Sequence, residues 1–205
     1  MKKIVFASIP MQSVEPVVYK SEENKAIEYD KPVRFPINAL LAKTMNKGER
    51  IKVVRILTDG KFTKENADHQ KKELDEINNK IGAEITYLEV SENFKETSNV
   101  LQSRFKQLVN VLEDDCKIYA DMTYGPKTLT PVLFYVLGFA EHFFNADIKN
   151  IIYGKIIFNE NKKVQEDTAE LFDVTSLFYL NSLTSVMKAP NGKTALKILD
   201  DFFAL

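Results

Sequence analysis

Short apolar runs alternate with amphipathic stretches along most of this chain. Lys3–Ile9, Ile51–Leu57, Ala83–Val90 and Lys117–Met122 are rich in β-branched and aromatic residues, which predicts strands. The first is almost wholly apolar, as a central strand of a parallel sheet must be. Residues 63–81 are mostly charged, with Ala67, Leu74, Ile77 and Ile81 as a thin apolar stripe. Residues 91–112 gather Val100, Leu101, Phe105, Leu108, Val109 and Leu112 on one face. Both spacings predict amphipathic helices. A further helix is predicted from Pro36 to Met45, opening on a proline that a first turn tolerates. Another runs from Leu129 to Phe144 and is apolar almost all round, so it is buried on more than one side. Strand and helix thus alternate through four units, the pattern of an α/β sheet with right-handed crossovers.

Pro16–Tyr19 and Ala26–Tyr29 flank the polar turn SEENK and predict a small exposed β-hairpin inserted near the N-terminus. Lys149–Asn159 predicts a strand, then the turn NENKK and an antiparallel partner at Lys163–Glu166 or Ala169–Asp173. Asp173–Ser176 starts a helix to about Lys188. After the break Ala189–Gly192, Lys193–Phe203 is a last short helix whose Leu196, Leu199, Phe202 and Phe203 need a surface. No internal repeat or low-complexity tract occurs. The predicted domains are 1–175, holding the sheet, and 176–205, a helical extension.

The stretch with the most chemistry is CKIYADMTYGPKTLTPVLFYVLG, residues 116–138: a strand, a tight polar turn and the apolar helix. Gly125 lets the backbone turn with positive φ or approach a ligand. Lys127 is a cation at the mouth of a helix, where free N–H groups favour an anion. The spacing is not that of a Walker A loop. Two readings stand: a phosphate-binding turn, or a plain strand-to-helix turn with Thr128 as N-cap. In a doubly wound sheet the loops after the first two strands lie at the same carboxyl edge, where ligands bind. There Ser8 and Gln12 offer hydrogen bonds, and Thr58, Asp59 and Gly60 form the second turn. Arg34 is placed to reach a phosphate but reads more simply as a surface arginine.

Acids (29) and bases (28) balance, so nothing in the bulk charge argues for duplex nucleic acid or a membrane surface. Cys116, the only cysteine, reads as a buried small hydrophobe, and its isolation suits a reducing cytosol. The apolar run after Lys2 and Lys3 meets Pro10 too soon for a signal peptide. His69 and His142 have no partner at ligand spacing. No metal site, cofactor or paired carboxylate set is expected.

The turn Asp121, Thr123, Gly125, Lys127, within YADMTYGPKTLTPVL, resembles the CRISPR-associated Rossmann fold (CARF) sensors of type III immunity. The order of segments resembles them too: strand, SIPM loop, VVYKSEENKAIEY, RFPINALLA helix, and the closing IIYGKIIFNENKKVQEDTAELFDVTSLFYLNSL. Two features depart from the family: Ser8-Ile9-Pro10-Met11 replaces a glycine-bearing loop, and Lys127 replaces an arginine, keeping the charge without the bidentate fork. The resemblance implies a Rossmann-like, mostly parallel sheet flanked by helices, with the hairpin insertion and a C-terminal antiparallel hairpin plus helices. It implies a cytoplasmic homodimer whose ligand is a cyclic oligoadenylate, most often with four AMP units. Ser8, Ile9, Pro10, Met11 and Gln12 would line the ring, and Thr58, Asp59 and Gly60 would sit near a base or ribose. Thr123, Tyr124, Gly125, Pro126, Lys127 and Thr128 would form the phosphate turn, with Asp121 as turn-former. An effector domain or partner is implied as well; a HEPN ribonuclease is not, because no arginine precedes either histidine closely.

Three functions compete. The first is a sensor without chemistry of its own. The second is a ring nuclease that needs no metal, since the ring's 2′-OH attacks the neighbouring phosphate when held in line. Ser8, Lys127 and Thr128 are its candidate catalytic residues. The third is a generic mononucleotide-binding α/β protein.

Overall fold

The computed structural model describes residues 2–160, 164–165 and 168–204. Five strands alternate with four helices: β1 (Lys2–Ser8), α1 (Pro36–Thr44), β2 (Arg50–Thr58), α2 (Thr63–Asn78), β3 (Glu84–Glu92), α3 (Ser98–Val109), β4 (Lys117–Asp121), α4 (Leu129–Phe144) and β5 (Asp147–Lys155). A sixth strand, β6 (Glu170–Asp173), closes one edge. The sheet order is β3-β2-β1-β4-β5-β6. The first four pairings are parallel, and β6 runs antiparallel to β5. The fold is therefore α/β and Rossmann-like, with the strand order reversing between β1 and β4. Such a reversal opens a crevice at the carboxyl ends of the two strands.

Side-chain contacts assign the two faces. Lys3 Nζ donates to Thr44 O of α1 at 2.7 Å, Arg55 Nη1 to Ala67 O of α2 at 2.9 Å, and Tyr87 OH to Asp75 Oδ1 of α2 at 2.7 Å. Odd-numbered residues of β1–β3 thus face α1 and α2, where Val5, Ala7, Leu40, Leu41, Val53 and Leu74 form one buried cluster. Lys52 Nζ donates to Val111 O just beyond α3, so even-numbered residues face the other way. Ile4, Phe6, Val54 and Ile56 are buried there. α3 packs on β3 and on α4. α4 buries Leu129, Leu133, Val136, Leu137 and Ala140, as its apolar circumference requires.

The N-terminal insertion departs from expectation. Ala26–Tyr29 is not a hairpin arm; Lys25–Ile27 makes a single 3-10 turn. Val17 pairs instead with Val33, and Lys20 bridges to Glu170 of β6. Tyr19 and Ile27 are buried rather than exposed. A free two-stranded ribbon is marginal in water, whereas these side chains gain by joining the core beside α1. α3 begins at Ser98 rather than near Ser91, because β3 runs on to Glu92 and Thr97 Oγ1 caps the helix by accepting from Val100 N. Of the two predicted C-terminal partners, the Ala169–Asp173 segment pairs with β5. Within the Lys163–Glu166 alternative, Val164 bridges Phe158 antiparallel and Gln165 N donates to Ile157 O at 2.8 Å; residues 161–163 of the NENKK turn (159–163) and residue 166 lie outside the described residues.

The chain divides into two compact units, 1–175 and 176–205. The second holds most of α5 (Thr175–Val186) and α6 (Gly192–Phe203). Asn191 Oδ1 caps α6, accepting from Thr194 N at 3.0 Å. None of α6 is buried. Among the described residues, no helix is long and apolar enough to cross a membrane.

Candidate functional site

The turn after β4 is tied on three sides. Asp121, fully buried, accepts from Thr123 N through Oδ1 at 2.8 Å and from Ile37 N, in the first turn of α1, through Oδ2 at 3.3 Å. Thr123 Oγ1 accepts from Gly154 N of β5 at 2.8 Å. Tyr124 OH donates to Arg34 O at 3.1 Å, while Tyr124 N donates to Ser8 Oγ at 3.2 Å. Ser8 Oγ in turn donates to Asp121 O at 2.9 Å. Gly125 has φ +97°, a region glycine enters freely. Gly154 is required for a different reason: a Cβ there would stand 2.5 Å from Pro36 Cγ and 3.3 Å from Thr123 Oγ1. Burial raises the Asp121 carboxyl to about 6, against the pull of its bonds from Thr123 and Ile37.

The other two loops pack on each other. Asn66 Nδ2, from α2, donates to Pro10 O and Gln12 O, each at 2.8 Å. Thr63 Oγ1 donates to Thr58 O at 2.7 Å. A Cβ on Gly60 would meet Met11 Cβ at 2.7 Å and Thr63 Oγ1 at 3.0 Å. Residues 8–12 and 58–60 therefore form one rim of the crevice, and the 121–128 turn meets that rim at Ser8.

The fourteen candidates differ in what they still offer. Ser8, Ile9, Pro10, Thr58 and Pro126 are buried; Met11, Thr123, Tyr124, Gly125 and Thr128 are half-buried; Gln12, Asp59, Gly60 and Lys127 are exposed. The Ser8 hydroxyl hydrogen is committed to Asp121 O, and the Tyr124 hydroxyl to Arg34 O. Thr128 holds the N-cap position of α4 but does not cap it. Its backbone is helical, at φ −73° and ψ −16°, and its side chain makes no capping bond. Instead Thr128 Oγ1 donates to Glu96 Oε1 at 2.5 Å. Leu129 N, one of the donors at the helix mouth, is already taken by Pro126 O at 2.9 Å. Lys127 is left as an exposed cation with no ion pair among the described residues. Arg34 is engaged with Glu73, its N–H donating to Oε2 at 2.9 Å and Nη1 lying 3.9 Å from the same oxygen.

Two residues that shape this site carry no signal in the chain's pattern: Asn66 sits in a charged helix and Gly154 inside a strand. Arg104, in α3, is fully buried. Cys116 is buried, which pushes its thiol up. Among the described residues no group of three His, Cys, Asp or Glu side chains is placed to hold a metal ion. A groove of about 710 Å³ between α3 and α4 is lined by Leu101, Phe105, Pro131, Tyr135, Phe139 and Phe143. Its walls are nearly all apolar, so it does not recognise an anion.

No protein-family model matches this chain, and no curated protein matches it in sequence. The chemistry of the site then rests on its own residues: one free cation, a glycine turn and two packed loops at a sheet crevice.

Proposed function

We propose that this chain is a ligand-sensing CARF domain of type III CRISPR signalling and binds a cyclic oligoadenylate, with the four-membered ring as first candidate. It acts in the cytoplasm as a homodimer, beside an effector domain or partner. The observation that carries this reading is Lys127: a cation with no ion pair among the described residues, two residues past Gly125 in the turn between β4 and α4, where β4 borders the point at which the sheet order reverses. That is where open α/β sheets bind ligands, and a lysine there meets a phosphate as a point charge. A two-fold dimer matches a ring of two-fold symmetry.

Ring cleavage has less support, because the hydroxyl hydrogens of Ser8 and Thr128 are already given to Asp121 O and Glu96. The test is titration calorimetry with rings of three, four and six AMP units and with AMP itself, followed by chromatography of the recovered ligand. An intact ring bound once per two chains fits the sensor. Linear products mean a ring nuclease, and AMP bound by a monomer means a generic mononucleotide-binding protein.

A further inference from the structure

Arg104 heads the fully enclosed side chains of this protein, at 1% exposure. None of its guanidinium nitrogens, Nε, Nη1 or Nη2, has a hydrogen-bond partner among the described residues. The other buried cations are treated differently. Lys3 Nζ lies 3.0 Å from Glu49 Oε2, and Arg55 Nη2 lies 2.7 Å from Glu89 Oε1. A guanidinium keeps its charge in proteins, and burying a charge without a partner carries a heavy desolvation penalty. Such a group is costly unless something that is not part of the fold repays it.

Its position says where that partner enters. α3 starts after β3, at the carboxyl edge of the sheet, and descends towards the start of β4. Arg104 lies six residues below Ser98, about 9 Å along the axis. A long helical side chain leans back towards its helix N-terminus, which directs the guanidinium from Arg104 towards the carboxyl edge. On the sheet face that α3 covers, Phe6, Val54, Ile56 and Val90 are buried and apolar, and Ser8 and Thr58 are buried polar residues at its carboxyl end. Residues 93–97, between β3 and α3, are exposed throughout. Thr128 Oγ1 ties this connector to the start of α4 through Glu96.

We infer that Arg104 is the buried counter-charge for one phosphate of a nucleotide ligand, which reaches it at the carboxyl end of β2 when the 93–97 connector gives way. This rests on the nucleotide-binding reading above and adds to it a phosphate contact separate from Lys127. The planar fork of five N–H donors matches phosphate oxygens bidentately. Entry of the phosphate takes the place of Glu96 at the rim, so the connector shifts on binding.

The test uses the full chain as wild type, Arg104→Met and Arg104→Lys, with thermal melts and titrations against pyrophosphate and against cyclic tetra-adenylate. Methionine keeps the aliphatic stem and removes the charge, so without ligand Arg104→Met melts no lower than wild type. Its affinity for at least one of the two anions falls at least tenfold, and Arg104→Lys recovers part of the loss. A lower melting temperature for ligand-free Arg104→Met overturns the proposal, because the guanidinium is then a structural post. Equal anion affinity of wild type and Arg104→Met overturns it too, as does a wild type that neither anion binds. If pyrophosphate binding depends on Arg104 while no ring binds, the sensor reading fails and this one stands. If the ring binds both proteins equally and pyrophosphate binding does not depend on Arg104, the reverse holds.

Discussion

The carboxylate of Asp121 accepts the Ile37 N–H across 84 residues of chain at 3.3 Å. One buried acid thereby satisfies an orphan donor in the first turn of α1 and the N–H of Thr123 in the turn that follows β4. The same acid is raised by burial to about 6.

The sign of its pH dependence follows. Between its unfolded value, 3.8, and about 6, the native state holds a proton that the unfolded chain has lost. Asp121 therefore contributes stability that is fully present below 3.8 and lost as pH rises through 6. The size is on the order of 3 kcal/mol. Glu113 acts in the opposite sense. Hydrogen bonds from Lys2 and Lys52 hold it down to about 2, so its contribution is lost as pH falls through that value. Subtracting the urea-unfolding energy of Asp121→Asn from that of wild type, at each pH from 3.5 to 7.5, isolates Asp121. The difference should fall by a few kcal/mol across that range; a flat difference would rule the linkage out.

Lys127→Ala should weaken ring binding at least tenfold and leave the melting temperature within a degree or two. Charge-assisted bonds of this kind contribute roughly 1.5–3 kcal/mol, and an exposed lysine without a partner holds nothing in the fold. Calorimetry beside a thermal melt reads both quantities. Unchanged affinity contradicts a ligand at this turn.

Gly125→Ala should destabilise the protein by about 1–3 kcal/mol. Two causes add: the φ of +97°, which an L side chain rarely adopts, and a Cβ only 2.7 Å from Leu129 Cδ2. The two separate in a double mutant. On a Leu129→Ala background the clash disappears and only the backbone strain remains, so the cost of Gly125→Ala must shrink. A cost that stays the same on both backgrounds assigns everything to the backbone.

Asn66→Ala removes the donor to Pro10 O and Gln12 O and should cost about 1–3 kcal/mol, the penalty of leaving a buried carbonyl unpaired. Amide exchange of residues 11–13 should quicken at least tenfold while that of β1 stays slow. Equal protection in the variant would mean that the contact with Gly60 and the bond from Phe62 N to Met11 O hold the loop without Asn66.

Local pattern was enough for the elements. The apolar circumference of Leu129–Phe144 predicts the bounds of α4, and the run before Ile9 predicts a central strand. It failed for Ala26–Tyr29, whose alternation suits a ribbon but whose Ile27 is buried in a 3-10 turn. Alternation reports that a side chain wants burial and leaves open what covers it.

The sequence by itself determined the α/β class, the carboxyl-edge loops and the polar turn from Asp121 to Thr128, because periodicity and turn chemistry act over a few residues. Only the tertiary structure decided which groups of that turn are spent. Ser8 is bonded across 113 residues to Asp121, Thr128 to Glu96, and Tyr124 to Arg34, while Lys127 is exposed and Arg104 is enclosed with no hydrogen-bond partner among the described residues. Donor availability is a property of contacts between distant segments, and no local spacing encodes it.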